Sequence, residues 1–161
     1  MSTTPTAISA TQYCTFELEG LLFGIDVTAV QEVIRYQPMT PVPLAPSMVV
    51  GLINLRGQIV TAIDLRARLE LGPRENTQLP MNVVVRTDDS NAVSLLVDKI
   101  GDVIDVDPAD FELPPDTVKG VARELIIGAY KLDGRLLLAL DVNKTMNLTG
   151  VVSSTQGEVA P

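Results

Sequence analysis

Apolar and polar residues alternate in short runs along most of this chain, and turn-forming residues separate the runs. Residues 15–18 and 21–27 flank Glu19-Gly20, and residues 82–86 and 92–97 flank the polar stretch 87–91. A period of two bounded by Gly, Asp and Asn predicts half-buried strands joined as hairpins. Two further hairpins are expected to pivot at Arg56-Gly57 and Asp133-Gly134, the latter pair suited to a type I′ turn. Helical signals are few. Asp64 and Asp141 each stand as an N-cap before a run, ending at Leu69 and Met146, that fits one or two turns. Residues 27–34 have room for one more short turn. This pattern is all-β, a barrel or a sandwich.

The pattern also repeats. Residues 51–65 align on 128–142 at a constant offset of 77, with Gly51/Gly128, Leu55/Leu132, Gly57/Gly134, Ala62/Ala139 and Asp64/Asp141 identical. A fainter match sets 27–34 on 97–104 at an offset of 70, with acidic residues at Glu32 and Asp102. We therefore expect two related halves, 13–76 and 77–148, between disordered tails at 1–12 and 149–161. Each half is too small for a strong core of its own, so the two should share one and leave a groove between them.

Composition narrows the function. Of 161 residues, 46% are hydrophobic, with three Phe, three Tyr and no Trp, so Val, Ile and Leu must fill the core. The formal net charge of −8 disfavours nucleic acid and anionic lipid as partners. Cys14 is the sole cysteine and lies in an alternating stretch, which reads as a buried structural thiol. The N-terminal residues lack the basic and apolar regions of a signal peptide, and the longest apolar run, 136–140, cannot span a bilayer. A cytoplasmic protein without direct membrane insertion is expected.

Catalysis has little to work with. There is no histidine, one cysteine and no phosphate-binding glycine loop, so triads, zinc sites and nucleotide cradles are not expected, and neither is a metal or a cofactor. Asp88 and Asp89 fall in a turn, and Asp105 and Asp107 flank a proline-containing loop; solvation explains both pairs. Asp64 and Asp141 recur in both halves, which suits a structural cap. Arg56 is different. Its repeat partner is Asp133, and Arg is a poor choice where a tight turn demands positive φ. A solvated Arg in another turn type would explain it, and so would a guanidinium kept to bind a partner.

These segments carry a family resemblance. Phe23-Gly24-Ile25-Asp26-Val27, Val30-Gln31-Glu32-Val33-Ile34, Pro43, Pro46, the block from Gly51 through Asn54-Leu55-Arg56-Gly57, then Ile63-Asp64-Leu65-Arg66, Leu96-Val97-Asp98 and Gly120-Val121 resemble the CheW family over about residues 15–148. The resemblance implies two five-stranded SH3-like barrels packed side by side. It implies a noncatalytic chemotaxis adaptor that joins the cytoplasmic tip of a chemoreceptor (a methyl-accepting chemotaxis protein) to the regulatory domain of a CheA-type histidine kinase, recruited to membrane receptor arrays. The matching receptor-binding positions are Val30, Glu32, Arg56, Val97 and Asp98, in a helix-in-groove mode, with core packing the other reading of Val30 and Val97. For the kinase, Gly51 resembles a family glycine, with backbone geometry its other reading; an exposed apolar patch at the barrel ends, in the loops 39–50 and 111–118, adds Met48 and Phe111 as candidates. A CheW-like paralogue of another motility pathway, a generic SH3-like peptide-binding module and a carboxylate enzyme are the alternatives. Two positions depart from the family pattern: Ser94 where glycine is common, and Asn82 where an apolar residue is common.

Overall fold

The computed structural model describes residues 12–74, 78–87 and 91–147. The expected tails, apart from Gln12, and the Asp88-Asp89 turn lie outside the described residues. Among those described, eleven strands form two sheets. In chain order the strands are β1 Gln12–Leu18, β2 Leu21–Asp26, β3 Val30–Ile34, β4 Val49–Leu55, β5 Gln58–Asp64, β6 Met81–Arg86, β7 Ala92–Val97, β8 Lys99–Asp105, β9 Phe111–Glu112, β10 Ile126–Leu132 and β11 Arg135–Leu140. One sheet runs β8-β1-β2-β11-β10-β9 and the other β3-β6-β7-β5-β4. The first has six strands where five were expected, because the two-residue β9 adds to its edge.

The repeat is plain in the structure. β4, β5 and the helix after them begin 77 residues before β10, β11 and theirs, and the register slips at Val49/Gly51 and again at Ile126/Gly128. The strand pairing, however, does not divide between 76 and 77. β8 pairs with β1 while β3 pairs with β6, and the parallel pairings are β11 with β2 and β5 with β7. Each repeat thus hands strands to the other's sheet. One sheet is drawn from 12–26 and 99–140, and the other is the continuous stretch 30–97. Alternation announces that a strand exists but not its partner, and in a duplicated sequence two near-equivalent partners are on offer.

The Asp caps form as expected. Asp64 accepts from the Arg66 N–H at the start of α1 Leu65–Arg68, and Asp141 accepts from the Lys144 N–H in α3 Val142–Met146. A 3₁₀ turn, Val27–Ala29, follows Asp26, whose carboxylate accepts from Thr28 N. One helix had no sequence signal, α2 Gly120–Leu125. Lys119 precedes it without a side-chain cap and Gly120 has φ +67°. The hairpin tips invert the expectation. Arg56 and Gly57 both take positive φ (+53° and +85°), whereas at the other tip only Gly134 does (+80°). Asp133-Gly134 is therefore not a type I′ turn, and Arg56 holds a left-handed backbone that Asp or Asn would hold at lower cost.

Among the described residues one of three apolar clusters draws on both sheets. Phe16, Leu18 and Phe23 of one pack with Ile63, Leu95 and Val97 of the other, all buried, and Cys14 lies among them with its thiol pKa pushed up by burial. Gly51 and Gly128 mark where the backbone comes too close for a side chain. A Cβ on Gly51 would sit 2.6 Å from the Thr40 carbonyl oxygen, and one on Gly128 would meet the Phe111 ring and sit 2.7 Å from the Glu112 carbonyl oxygen. Because backbone yields less readily than a side-chain tip, Gly51→Ala should lower stability by about 1–3 kcal/mol in denaturant unfolding. An unchanged midpoint would show that the 39–40 segment shifts freely.

Candidate functional site

β3 lies at the edge of its sheet, and the hairpin β4–β5 swings its tip over it. Arg56 at that tip meets Glu32 fork to fork: Nη1 donates to Oε2 at 2.7 Å and Nη2 to Oε1 at 2.6 Å. The hydrogen bonds donated by Arg56 hold the Glu32 carboxyl below its usual pKa. The Arg56 side chain is nevertheless 75% exposed and that of Glu32 18%. One face of the guanidinium is taken while the rest stays open to solvent, as suits planar, bidentate recognition. The Gly57 N–H donates to Asn54 Oδ1 at 3.0 Å and closes the turn that carries Arg56. At the corresponding corner of the other sheet the repeat puts Asp102 and Asp133, so the cation belongs to one corner only.

The remaining expected receptor-binding positions divide. Val30 is half-buried and packs against the shared core, at the foot of the Glu32 strand. Val97 is fully buried in that core, so it supplies packing and no surface. Asp98 is also buried, 9% exposed, with its carboxylate fully occupied. It accepts from Arg66 Nε (2.9 Å) and Nη2, from Arg74 Nε (3.0 Å) and from the Glu19 N–H (2.8 Å). Burial pushes its pKa up, but the bonds from Arg66, Glu19 and Arg74 outweigh that, and the net shift is downward. Neither Val97 nor Asp98 presents a group to a partner. For Val97 the burial matches the core-packing reading, whereas nothing in the local sequence marks Asp98 as buried.

The expected kinase-binding residues also prove less exposed than their loops. Met48 is half-buried against the core, Gly51 is buried, and Phe111 stacks edge-on against Tyr130 with centroids 5.2 Å apart. The exposed apolar residues of the same loops are Leu44, 85% exposed, and Leu113, 75% exposed. A further feature carries no signal in the sequence, a cavity of about 660 Å³ lined by Leu21, Leu69, Leu71, Val118, Val121 and Leu136. These come from four separated segments, so no local pattern could have gathered them.

The two departures from the family pattern turn out to be each other's partner. Ser94 and Asn82 are both fully buried; the Ser94 hydroxyl donates to Asn82 Oδ1 at 2.7 Å, and Asn82 Nδ2 donates to the Arg35 carbonyl at 3.0 Å. Ser94 pairs with Ala62 in the parallel register, as Gly24 does with Ala139 in the other sheet. A Cβ at Gly24 would press on Leu137 at 2.9 Å, whereas Ser94 has room. Ser94→Ala should cost about 1–3 kcal/mol by leaving Asn82 short of a donor, and adding Asn82→Val should recover part of it. Additive losses in the double variant would show that the two residues act separately.

Among the described residues, no group of three His, Cys, Asp or Glu could hold a metal ion, and no helix is long and apolar enough to cross a membrane. The CheW-like domain family matches residues 12–149. The "Chemotaxis protein CheW" of Treponema pallidum is 34% identical over 148 residues, spanning 87% of this chain and 85% of that one. Its namesake in Rhizobium meliloti is 32% identical, covering 75% of this chain and 77% of the other. The crystal structure of the scaffolding protein TtCheW from Thermoanaerobacter tengcongensis superposes with a TM-score of 0.77 at 28% identity, covering 88% of this chain and 95% of that one.

Proposed function

Since the chain belongs to the CheW-like domain family of chemotaxis scaffolds, we propose that it is a noncatalytic adaptor coupling the cytoplasmic tips of chemoreceptors to the regulatory domain of a CheA-type histidine kinase. Its place is then in the cytoplasm, at membrane receptor arrays. The observation that carries this reading is the Glu32–Arg56 fork. A left-handed Arg at an exposed tip is costly for the turn, and a surface ion pair adds little stability, so binding is the better reason to keep it. The receptor tip, a helical element, would lie along β3 with Val30 and Val33 as apolar contacts and the fork as the orienting group. The kinase domain would dock on the loops around Met48 and Phe111, through the exposed Leu44 and Leu113.

The test is whether the purified protein binds a receptor-tip fragment and a kinase regulatory domain together. Size-exclusion chromatography with light scattering should give a ternary complex. Competition between the two fragments would refute separate surfaces, and binding of neither at up to about 100 μM would refute the adaptor reading. Leu44→Asp with Leu113→Asp should weaken the kinase fragment by roughly ten-fold or more while leaving the receptor fragment unchanged.

A further inference from the structure

We propose that Asp98 is a positioning residue, the centre of an ion-paired clasp that sets how the two sheets stand to one another and how far the segment after α1 stands from the β2–β11 face across the cavity they both line. The chain passes from β7 of one sheet to β8 of the other across this one residue. Its N–H donates to the Glu17 carbonyl at 3.1 Å, and its carboxylate takes the Glu19 N–H, so it grips the end of the β1–β2 hairpin twice. From the opposite side come Arg66 on α1 and Arg74 beyond it.

Arg66 reaches further. Its Nη1 donates to the Gly72 and Pro73 carbonyls at 3.1 and 2.9 Å, and the Gly72 N–H donates back to Glu19 Oε2 at 2.9 Å. The clasp therefore joins residue 19 to residue 72. Gly20 and Leu21, just after the first, and Leu69 and Leu71, just before the second, all line the 660 Å³ cavity. At the chain's other passage between sheets, from β2 to β3, Asp26 only caps its own turn through Thr28. The sheets are thus fastened by an ion-paired network at one crossing and only by a turn cap at the other, while Arg68 of α1 adds a separate tie by donating to the Thr145 and Lys144 carbonyls of α3 at 2.9 and 3.0 Å.

The consequence for binding rests on the adaptor reading: Val30, one of the proposed receptor contacts, packs against the core that both sheets build, so a rotation of the sheets shifts the floor of that site even where no contact residue has changed. The experiment places spin labels at Gln58→Cys and Lys131→Cys, one exposed position on each sheet, the native Cys14 being buried. In Asp98→Asn, below its melt and with native amide dispersion, the inter-label distance distribution should shift and broaden. Asp98→Glu should restore it in part. Receptor-tip affinity should fall by about two- to thirty-fold. Should Asp98→Asn fail to fold, Arg74→Gln serves instead, since it leaves the Arg66–Asp98 bonds in place. An unchanged distribution in the folded variant overturns the clasp. A shifted distribution with undiminished receptor affinity overturns its control of docking. A shifted distribution in a protein whose parent binds no receptor fragment sustains the clasp and removes the adaptor reading alone.

Discussion

Asp98→Ala should be among the costliest polar substitutions in the chain, lowering stability by about 3–5 kcal/mol. The loss is not the value of one salt bridge. It is the cost of leaving two guanidinium groups, Arg66 at 11% and Arg74 at 10% side-chain exposure, without the carboxylate that both of them face. An ion pair on the open surface offers a direct contrast: Lys131→Ala, which breaks the exposed 2.8 Å pair with Glu112, should cost no more than about 0.5 kcal/mol. The acid dependence follows from the sign of the shift. The folded-state pKa of Asp98 is depressed, so its contribution is complete above the unfolded carboxyl value of roughly 3.9 and is lost as pH falls from there through the folded pKa. Urea unfolding of parent and Asp98→Asn at neutral pH and at about pH 3 measures both effects. The parent should lose more stability over that interval than the variant does. Equal losses would show that Asp98 carries no linkage, and a variant as stable as the parent would remove the clasp's energetic basis.

Much of this architecture is legible in the sequence because strand alternation and turn chemistry are local. The hairpin at Glu19-Gly20 and the Asp caps at 64 and 141 follow from residues within a few positions of one another, and the repeat from matching two such local patterns 77 residues apart. What stays hidden depends on partners distant in the chain. The exchange of strands between the repeats is one case: nothing in β3 says that it will pair with β6, 48 to 55 residues on. The residues Val97 and Asp98 are another. Both sit in a block that resembles a binding motif, yet one is core and the other is the clasp, and their burial is fixed by β1 and α1. Ser94 and Asn82 looked like two unrelated departures because their bond spans a hairpin. The surface half of the site was easier to see. Arg56 attracted notice from its residue type against its turn, and Glu32 from its acidic counterpart in the repeat; only their bidentate contact needed coordinates.

The second large effect is expected at that contact. Arg56→Asn should leave the melt unchanged or raise it, because Asn-Gly suits a turn with two positive φ angles better than Arg-Gly does. The same change should weaken the receptor-tip fragment by roughly ten-fold or more, since a charge-assisted contact is lost without a structural cost to confuse the result. Arg56→Lys should recover part of the affinity, an ammonium keeping the charge but not the fork. A charge swap then separates two roles for the pair. If Arg56 and Glu32 only fasten the hairpin to β3, the combination Glu32→Arg with Arg56→Glu restores the contact and the binding together. If the guanidinium also donates to an acceptor on the receptor helix, the swap keeps the fold and still fails to bind, because the cation now rises from the strand and not from the tip. The expected outcome is the second. Affinity for the kinase domain should be the same in all four proteins, as its proposed surface lies on the loops around Met48 and Phe111. Receptor affinity undiminished in Arg56→Asn would leave Arg56 a solvated turn residue and would move the receptor site away from β3.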